Sequence, residues 1–184
     1  LHLCHHNLES ISDYDSNTKD NLLAEVCMAA YYEGESIKTH HPQHQVTYPG
    51  YHSQICTELA RSFADIGDIV RGRDLYSGNK KEKNRRDELE KKLKDIFQKI
   101  HGNLRNGVKD RYEGDTPDFL KLREDWWNAN RAKVWDAITC KANGDDKYFR
   151  KTACGGGKTA STNKCRCVNT DPPTYFDYVP QYLR

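Results

Sequence analysis

The sequence predicts an all-α fold, a helical bundle with long loops held together by disulfides. Three observations carry that expectation. Apolar residues recur at steps of three or four through four separate segments, as they do on helices with one buried face. Prolines, glycines and short polar runs punctuate the gaps. Seven cysteines stand in 184 residues, four of them from Cys140 onward. So many in a chain of this size point to an oxidising compartment, and the odd count leaves one thiol free or partnered elsewhere. Cys4 is the candidate orphan.

Composition narrows the function only a little. Charged residues make up 30% of the chain, net charge is +2, and no run is apolar enough to span a bilayer. A balance so close to neutral names no partner, so any electrostatic function must reside in local patches. The only methionine is Met28, and the chain opens on LHLC and closes on PQYLR; a fragment of a longer protein is the expectation.

In chain order, Leu1 to Ile11 reads as the end of a helix, with Leu3, Cys4, Leu8 and Ile11 on one side. Tyr14 to Asp20 is polar and turn-rich, a loop. A helix then begins at Asn21, its face marked by Leu22, Leu23, Val26, Ala29 and Ala30 with Cys27 beside it. It reaches about Glu33, with a possible continuation past Gly34 to Lys38. His40 to His52 contains two prolines and a glycine and is expected to be a loop. Its four histidines raise the idea of zinc, and His40 and His44 have the spacing of helical ligands. Pro42 argues against that helix, which favours a solvated loop.

Ser53 to Gly72 is the central helix. Ser53 is a suitable N-cap, and Ile55, Leu59, Phe63, Ile66 and Val70 line one face. Cys56, Ala60, Ala64 and Gly67 form a second stripe of small residues where another helix can approach closely. Asp65 and Asp68 lie beside it, within reach of Arg61, Arg71 or Arg73. After a turn with Gly72 and Gly78 comes an amphipathic helix with Leu89, Leu93, Ile96, Phe97 and Ile100 inward, ended by Gly102. Its first part carries Lys80, Lys81, Lys83, Arg85, Arg86, Lys91, Lys92 and Lys94. Two readings stand: a solvated face laced with ion pairs to Glu82, Asp87, Glu88 and Glu90, or a polyanion-binding patch.

Asn103 to Asp115 is a polar connection. Thr116-Pro117-Asp118 then has the form of a helix start: a cap, a proline at the first helical position, an acid near the positive dipole end. In the helix that follows, Phe119, Leu122, Trp126, Val134 and Ile138 share a face. Trp127 must point elsewhere, since adjacent helical residues diverge by about 100°; a second packed element is favoured over exposure for binding. From Cys140 the chain turns glycine- and cysteine-rich. GGGKT is not a phosphate loop, because Thr152 stands where the first glycine belongs and no hydrophobic strand precedes it. Cys140, Cys154, Cys165 and Cys167 lack the paired spacing of a zinc site, so a disulfide-stapled loop is expected. Tyr175, Phe176, Tyr178 and Tyr182 form an aromatic tail expected to pack back on the helices. No catalytic constellation can be read, which favours a binding module over an enzyme, without cofactor, metal or nucleic acid.

Several long segments share one likeness. LHLCHHNLE, LLAEVCMAAYYEGESIKTH, QICTELARSFADIGDIVRGRDLY, LREDWWNANRAKVWDAITC and PTYFDYVPQYLR, in this order, resemble the Duffy-binding-like domain, alpha class, of the Plasmodium falciparum erythrocyte membrane protein 1 family. The resemblance runs from Leu1 to Arg184. It implies a mostly helical, disulfide-bonded adhesive domain on the outer face of the infected erythrocyte, within a membrane-anchored protein. Implied partners are receptors of host erythrocytes or endothelium, sulfated glycans of the heparan-sulfate kind, blood-group sugars in rosetting, host antibodies, and neighbouring domains of the same polypeptide. In that light residues 1–184 are one partial domain, with a helical core over about 21–139 and a cysteine- and glycine-rich loop with its aromatic tail over 140–184. The stretches Lys80 to Arg86 and Asn143 to Thr170 fall where the family varies. The resemblance also favours a Cys27–Cys56 bridge between helices and a tail closed on itself among its four cysteines. Adhesion through Lys80 to Lys94 is the first functional expectation; an antigenic scaffold for a neighbouring receptor-binding domain is the alternative.

Overall fold

The computed structural model describes residues 18–47, 54–75 and 79–184, without the side chains of 43–47 and 106. Leu1 to Ile11, Cys4, Ser53 and Gly78, all singled out above, lie outside the described residues. Among the described residues five α-helices follow in chain order: α1 (Thr18–Thr47), α2 (Ile55–Val70), α3 (Lys80–Gly102), the short α4 (Asn106–Lys109) and α5 (Leu120–Ile138). Single 3-10 turns stand at Asp110–Tyr112, Phe176–Tyr178 and Gln181–Leu183. No strand occurs among the described residues, only two isolated bridges in the 154–166 loop.

The apolar stripes make the core. Leu22, Val26, Ala29, Ala30 and Ile37 of α1, Leu59, Phe63, Ile66 and Val70 of α2, and Leu89, Leu93, Ile96, Phe97 and Ile100 of α3 are all buried in one cluster. Helix α1 packs on α5, α2 and α3, and α2 is covered on another side by the 176–178 turn. The small-residue stripe does what its composition suggests: a Cβ on Gly67 would come within 2.8 Å of the Trp127 ring. Trp127, entirely buried, therefore packs on α2, and Phe63 lies between it and Trp135, with ring centroids 5.2 Å from each. At the other interface, a Cβ on Gly34 would lie 1.9 Å from the Ile138 carbonyl oxygen, so α1 and α5 meet backbone to backbone.

Several boundaries differ from expectation. Helix α1 begins at Thr18, inside the predicted loop, and runs through Pro42 to Thr47. A proline removes one backbone donor but need not end a helix; here the preceding turn gains side-chain bonds, Thr39 Oγ1 to the Glu35 carbonyl and His40 Nδ1 to the Ser36 carbonyl. His40 is thus on a helix and bonded to it, while the His44 side chain lies outside the described residues. Helix α2 starts one residue after Gln54, which caps it without a side-chain bond. Helix α5 starts at Leu120 rather than at Pro117. Phe119 holds the N-cap position without a side-chain bond, and the carboxylate of Asp115 instead accepts from the Lys121 and Leu122 amides at 2.9 and 2.8 Å, so Thr116 to Asp118 lie in a loop before the helix.

The disulfides also differ. Cys56 joins Cys165, 109 residues away, and Cys154 joins Cys167. The Cys27–Cys56 bridge is not formed; Cys27 and Cys140 are free thiols among the described residues. Burial pushes the Cys27 thiol upward, away from the reactive thiolate. The tail is closed on itself only by Cys154–Cys167; its other bond pins it to the first turn of α2.

Candidate docking surfaces

Polar groups buried in the core come first, because they decide which charges remain for a partner. Arg123 is wholly buried. Its Nε and Nη2 donate to the carbonyls of Val70 and Ile69 at 2.6 and 3.0 Å, closing the C-terminal end of α2, and its guanidinium pairs with both Glu90 oxygens at 2.7 and 2.8 Å. Asp177, on the 176–178 turn, accepts from Trp127 Nε1 at 2.9 Å and from Arg131 Nε and Nη2 at 2.8 Å each. Arg71, equally buried, reaches Asp68 at 3.2 Å and the Asp177 carbonyl. The expected Asp68–Arg71 pair is thus present, and Arg184 pairs with both Asp65 and Asp68. Arg61 and Arg73 turn instead to Glu58 and Glu124. These groups bind the tail to α2 and α5 and are structural, with Arg184 Nε and Nη1 and Glu124 Oε2 left buried without a hydrogen bond.

The basic residues of α3 are divided. Lys80, Lys81, Lys83, Arg85 and Lys91 are exposed. Arg86 is partly covered and bound to Asp74, and Lys94 reaches Asp118 at 2.6 Å. Lys92 is half-buried and has a partner of its own. With about 100° per residue, Lys80, Lys83, Lys91 and Lys94 fall on one strip and Lys81, Arg85 and Lys92 on another. Glu88 and Asp95 lie between the two. The eight residues therefore do not form one continuous positive face.

The second surface is the loop after α5. Two bonds hold it: Cys56–Cys165 from below and Cys154–Cys167 across. Trp135 Nε1 donates to the Cys165 carbonyl at 3.1 Å, and Arg166 Nε donates to Thr139 Oγ1 at 2.8 Å. Between Cys154 and Thr159 the chain reverses through three glycines at positive φ, with the Cys154 carbonyl accepting from the amides of Gly157, Lys158 and Thr159. Behind this turn lies a cavity of about 510 Å³. The loop and Asp171 to Phe176 form its wall, and Phe149 and Tyr175, 52% and 67% exposed, stand on it. Tyr182 is likewise exposed, whereas Tyr178, though 43% exposed, donates to Asn128 and faces Arg71 and Arg131, so the aromatic tail packs back through Phe176, Asp177 and Tyr178. This basic loop was not singled out from the sequence; a count of signs along it, six bases and no acid from Lys147 to Thr170, is the signal that marks it.

Comparison with known proteins agrees with this architecture. All of residues 1–184 match the sequence profile of the Duffy binding domain. The chain is similar to the solved N-terminal NTS-DBL1-alpha and CIDR-gamma double domain of the PfEMP1 protein from the Plasmodium falciparum varO strain, at 44% identity and a TM-score of 0.80, over 99% of this chain and 25% of that one. It is similar to the ICAM-1-binding DBLbeta domain of PfEMP1 IT4var13, at 31% identity and a TM-score of 0.69, over 100% and 39%. The same DBLbeta domain bound to ICAM-1 aligns at 33% identity and a TM-score of 0.68, over 99% and 40%. The chain thus spans well under half the length of these solved chains. No curated protein matches it.

Proposed function

The chain belongs to the Duffy binding domain family, and on that premise we propose that it is part of an adhesion module of the malarial surface-antigen type, acting outside the infected erythrocyte and not as an enzyme. The observation that carries this reading is the likeness over the full chain to PfEMP1 domains, one of them solved with a host receptor, ICAM-1. Higher identity to the DBL1-alpha structure than to the DBLbeta ones supports the alpha class. The finer assignment is to sulfated glycans of the heparan-sulfate kind, with blood-group sugars and rosetting as its setting. The exposed side chains of Lys80, Lys81, Lys83, Arg85 and Lys91 on α3 are its contacts, with Lys92 and Lys94 at the margin and Arg86 committed to Asp74. Contacts of this kind are weak singly and fade with salt, since screening at 0.1 M acts over about 10 Å.

Heparin retention across a salt gradient, with a nonsulfated polysaccharide as control, tests the assignment. Elution well above physiological salt is expected, falling sharply for Lys80→Glu/Lys81→Glu/Lys83→Glu/Arg85→Glu. Unchanged retention by that variant removes the site from α3. The alternative, an antigenic scaffold beside a receptor-binding domain, is favoured by the carboxylates that divide the α3 face; absence of retention in the parent chain supports it.

A further inference from the structure

We infer that the stapled loop is a separate docking surface for an acidic, extended segment of a partner protein, which inserts one apolar side chain into the cavity behind Phe149 and Tyr175. The charge argument comes first. Of the six bases between Lys147 and Thr170, Arg166 is paired with Asp136. Lys147, Arg150, Lys151, Lys158 and Lys164 are exposed, and none joins an ion pair among the described residues. No carboxylate interrupts them along 147–170, unlike the bases of α3, although Asp146 precedes the run and Asp171, on the cavity wall, follows it. Such a field selects and steers a negative partner.

The cavity decides which kind. A sulfated sugar satisfies the charges equally well, but a sugar ring carries hydroxyls that need partners once water leaves. The cavity's apolar part is made by Phe149, Tyr175, Phe176, Pro172 and Pro173, while Arg150, Thr152 and Asp171 stand on the same wall. The Tyr148 hydroxyl is already bonded to Thr174 Oγ1 at 3.1 Å, and that oxygen also accepts from the Phe176 amide. An apolar side chain between Phe149 and Tyr175 needs no hydrogen-bond partner on leaving water, and paired aromatic rings offer it contact area. Acidic residues flanking that side chain then meet Arg150, Lys151 and Lys158.

The inference takes from the adhesive reading only that a partner exists; it uses another surface and another readout. Random dodecapeptides displayed as a library are panned on the oxidised full chain, and a selected peptide is measured by fluorescence polarisation. Enriched sequences are expected to place aspartates and glutamates around one Phe, Tyr, Trp or Leu. Binding is expected to weaken about tenfold or more with Lys151→Glu/Lys158→Glu and with Phe149→Ser, and to survive Lys80→Glu/Lys81→Glu. Each loop variant alters exposed side chains, and an unchanged urea midpoint shows that it folds. No enrichment, enrichment of neutral or basic peptides, or binding that survives both loop variants overturns the inference. Heparin retention lost with the loop variants and kept with the α3 variant overturns it too, assigning the loop to sulfated glycans. Failure of heparin retention altogether, with peptide capture intact, overturns the glycan assignment alone.

Discussion

Helix α3 and the 147–170 loop carry the same kind of side chain and hold it by opposite means. On α3, backbone hydrogen bonds fix the spacing, and five acids, Glu82, Asp87, Glu88, Glu90 and Asp95, stand among the bases. Part of its charge, of both signs, is used within the fold: Arg86 on Asp74 and Lys94 on Asp118, and Glu90 on the buried Arg123 of α5. The loop lacks both supports. It has no regular secondary structure and no acid of its own, and covalent bonds supply the order that hydrogen bonding does not. A helix whose five acids offset part of its nine lysines and arginines keeps a divided field for a partner, whereas a pinned loop without acids of its own keeps most of its field. Repulsion among like charges is the cost of that arrangement, and the disulfides offset it.

Breaking the pin is the harshest test of this contrast. Cys56→Ala/Cys165→Ala removes a cross-link closing a loop of 109 residues, for which chain entropy gives about 4.7 kcal/mol. Loss of about that much stability is expected in urea unfolding, together with loss of any ligand binding by the loop. Cys154→Ala/Cys167→Ala opens a span of 13 residues and is expected to cost about 3 kcal/mol. Equal losses from both would mean that anchorage to α2 contributes nothing beyond local closure. On α3 the corresponding test is milder. Arg86→Ala is expected to destabilise by about 1 kcal/mol, since it leaves the partly covered Asp74 without its cation, and Arg85→Ala by less than about 0.5 kcal/mol. If the two variants unfold alike, Arg86 is as free for a ligand as Arg85.

The same contrast explains what could be read in advance. The core stripes were legible because burial imposes a period, and Leu89, Leu93, Ile96, Phe97 and Ile100 all lie where that period puts them. Gly67 was legible as a close-approach residue, though not that Trp127 would be what approaches. Arg71 and Arg123 were not legible as core residues: arginine is a surface type, and their partners, carbonyls at the end of α2 and carboxylates on other elements, are defined only by the fold. The same holds for Cys56, whose bond depends on how the tail crosses α2. Pro42 reads as a breaker because propensity is local, while Asp115 is not legible as a cap because it reaches over four intervening residues to α5. The basic residues of α3 were found as a run of letters; whether each was free required knowing what stood beside it.

Asp65 provides the smallest test, at the edge of the α3 side. Burial raises its carboxyl above the usual range, opposed mainly by Arg184, with Asp74 adding to the rise and Arg86 opposing it. A carboxyl raised in the folded state binds its proton more tightly there than in the unfolded chain. Its contribution to stability is therefore complete below the unfolded value, about 3.9, and declines as pH rises through the folded one. At neutral pH the ionised group is thus a slight liability, muted because the side chain is 43% exposed. Asp65→Asn is expected to leave the melting temperature unchanged or slightly raised at pH 7, with the advantage over the parent vanishing as pH falls into the ordinary carboxylate range. A clear loss of stability at pH 7 would show that the Arg184 pair outweighs desolvation. The charges beside α3 would then hold the fold together, rather than merely being tolerated by it.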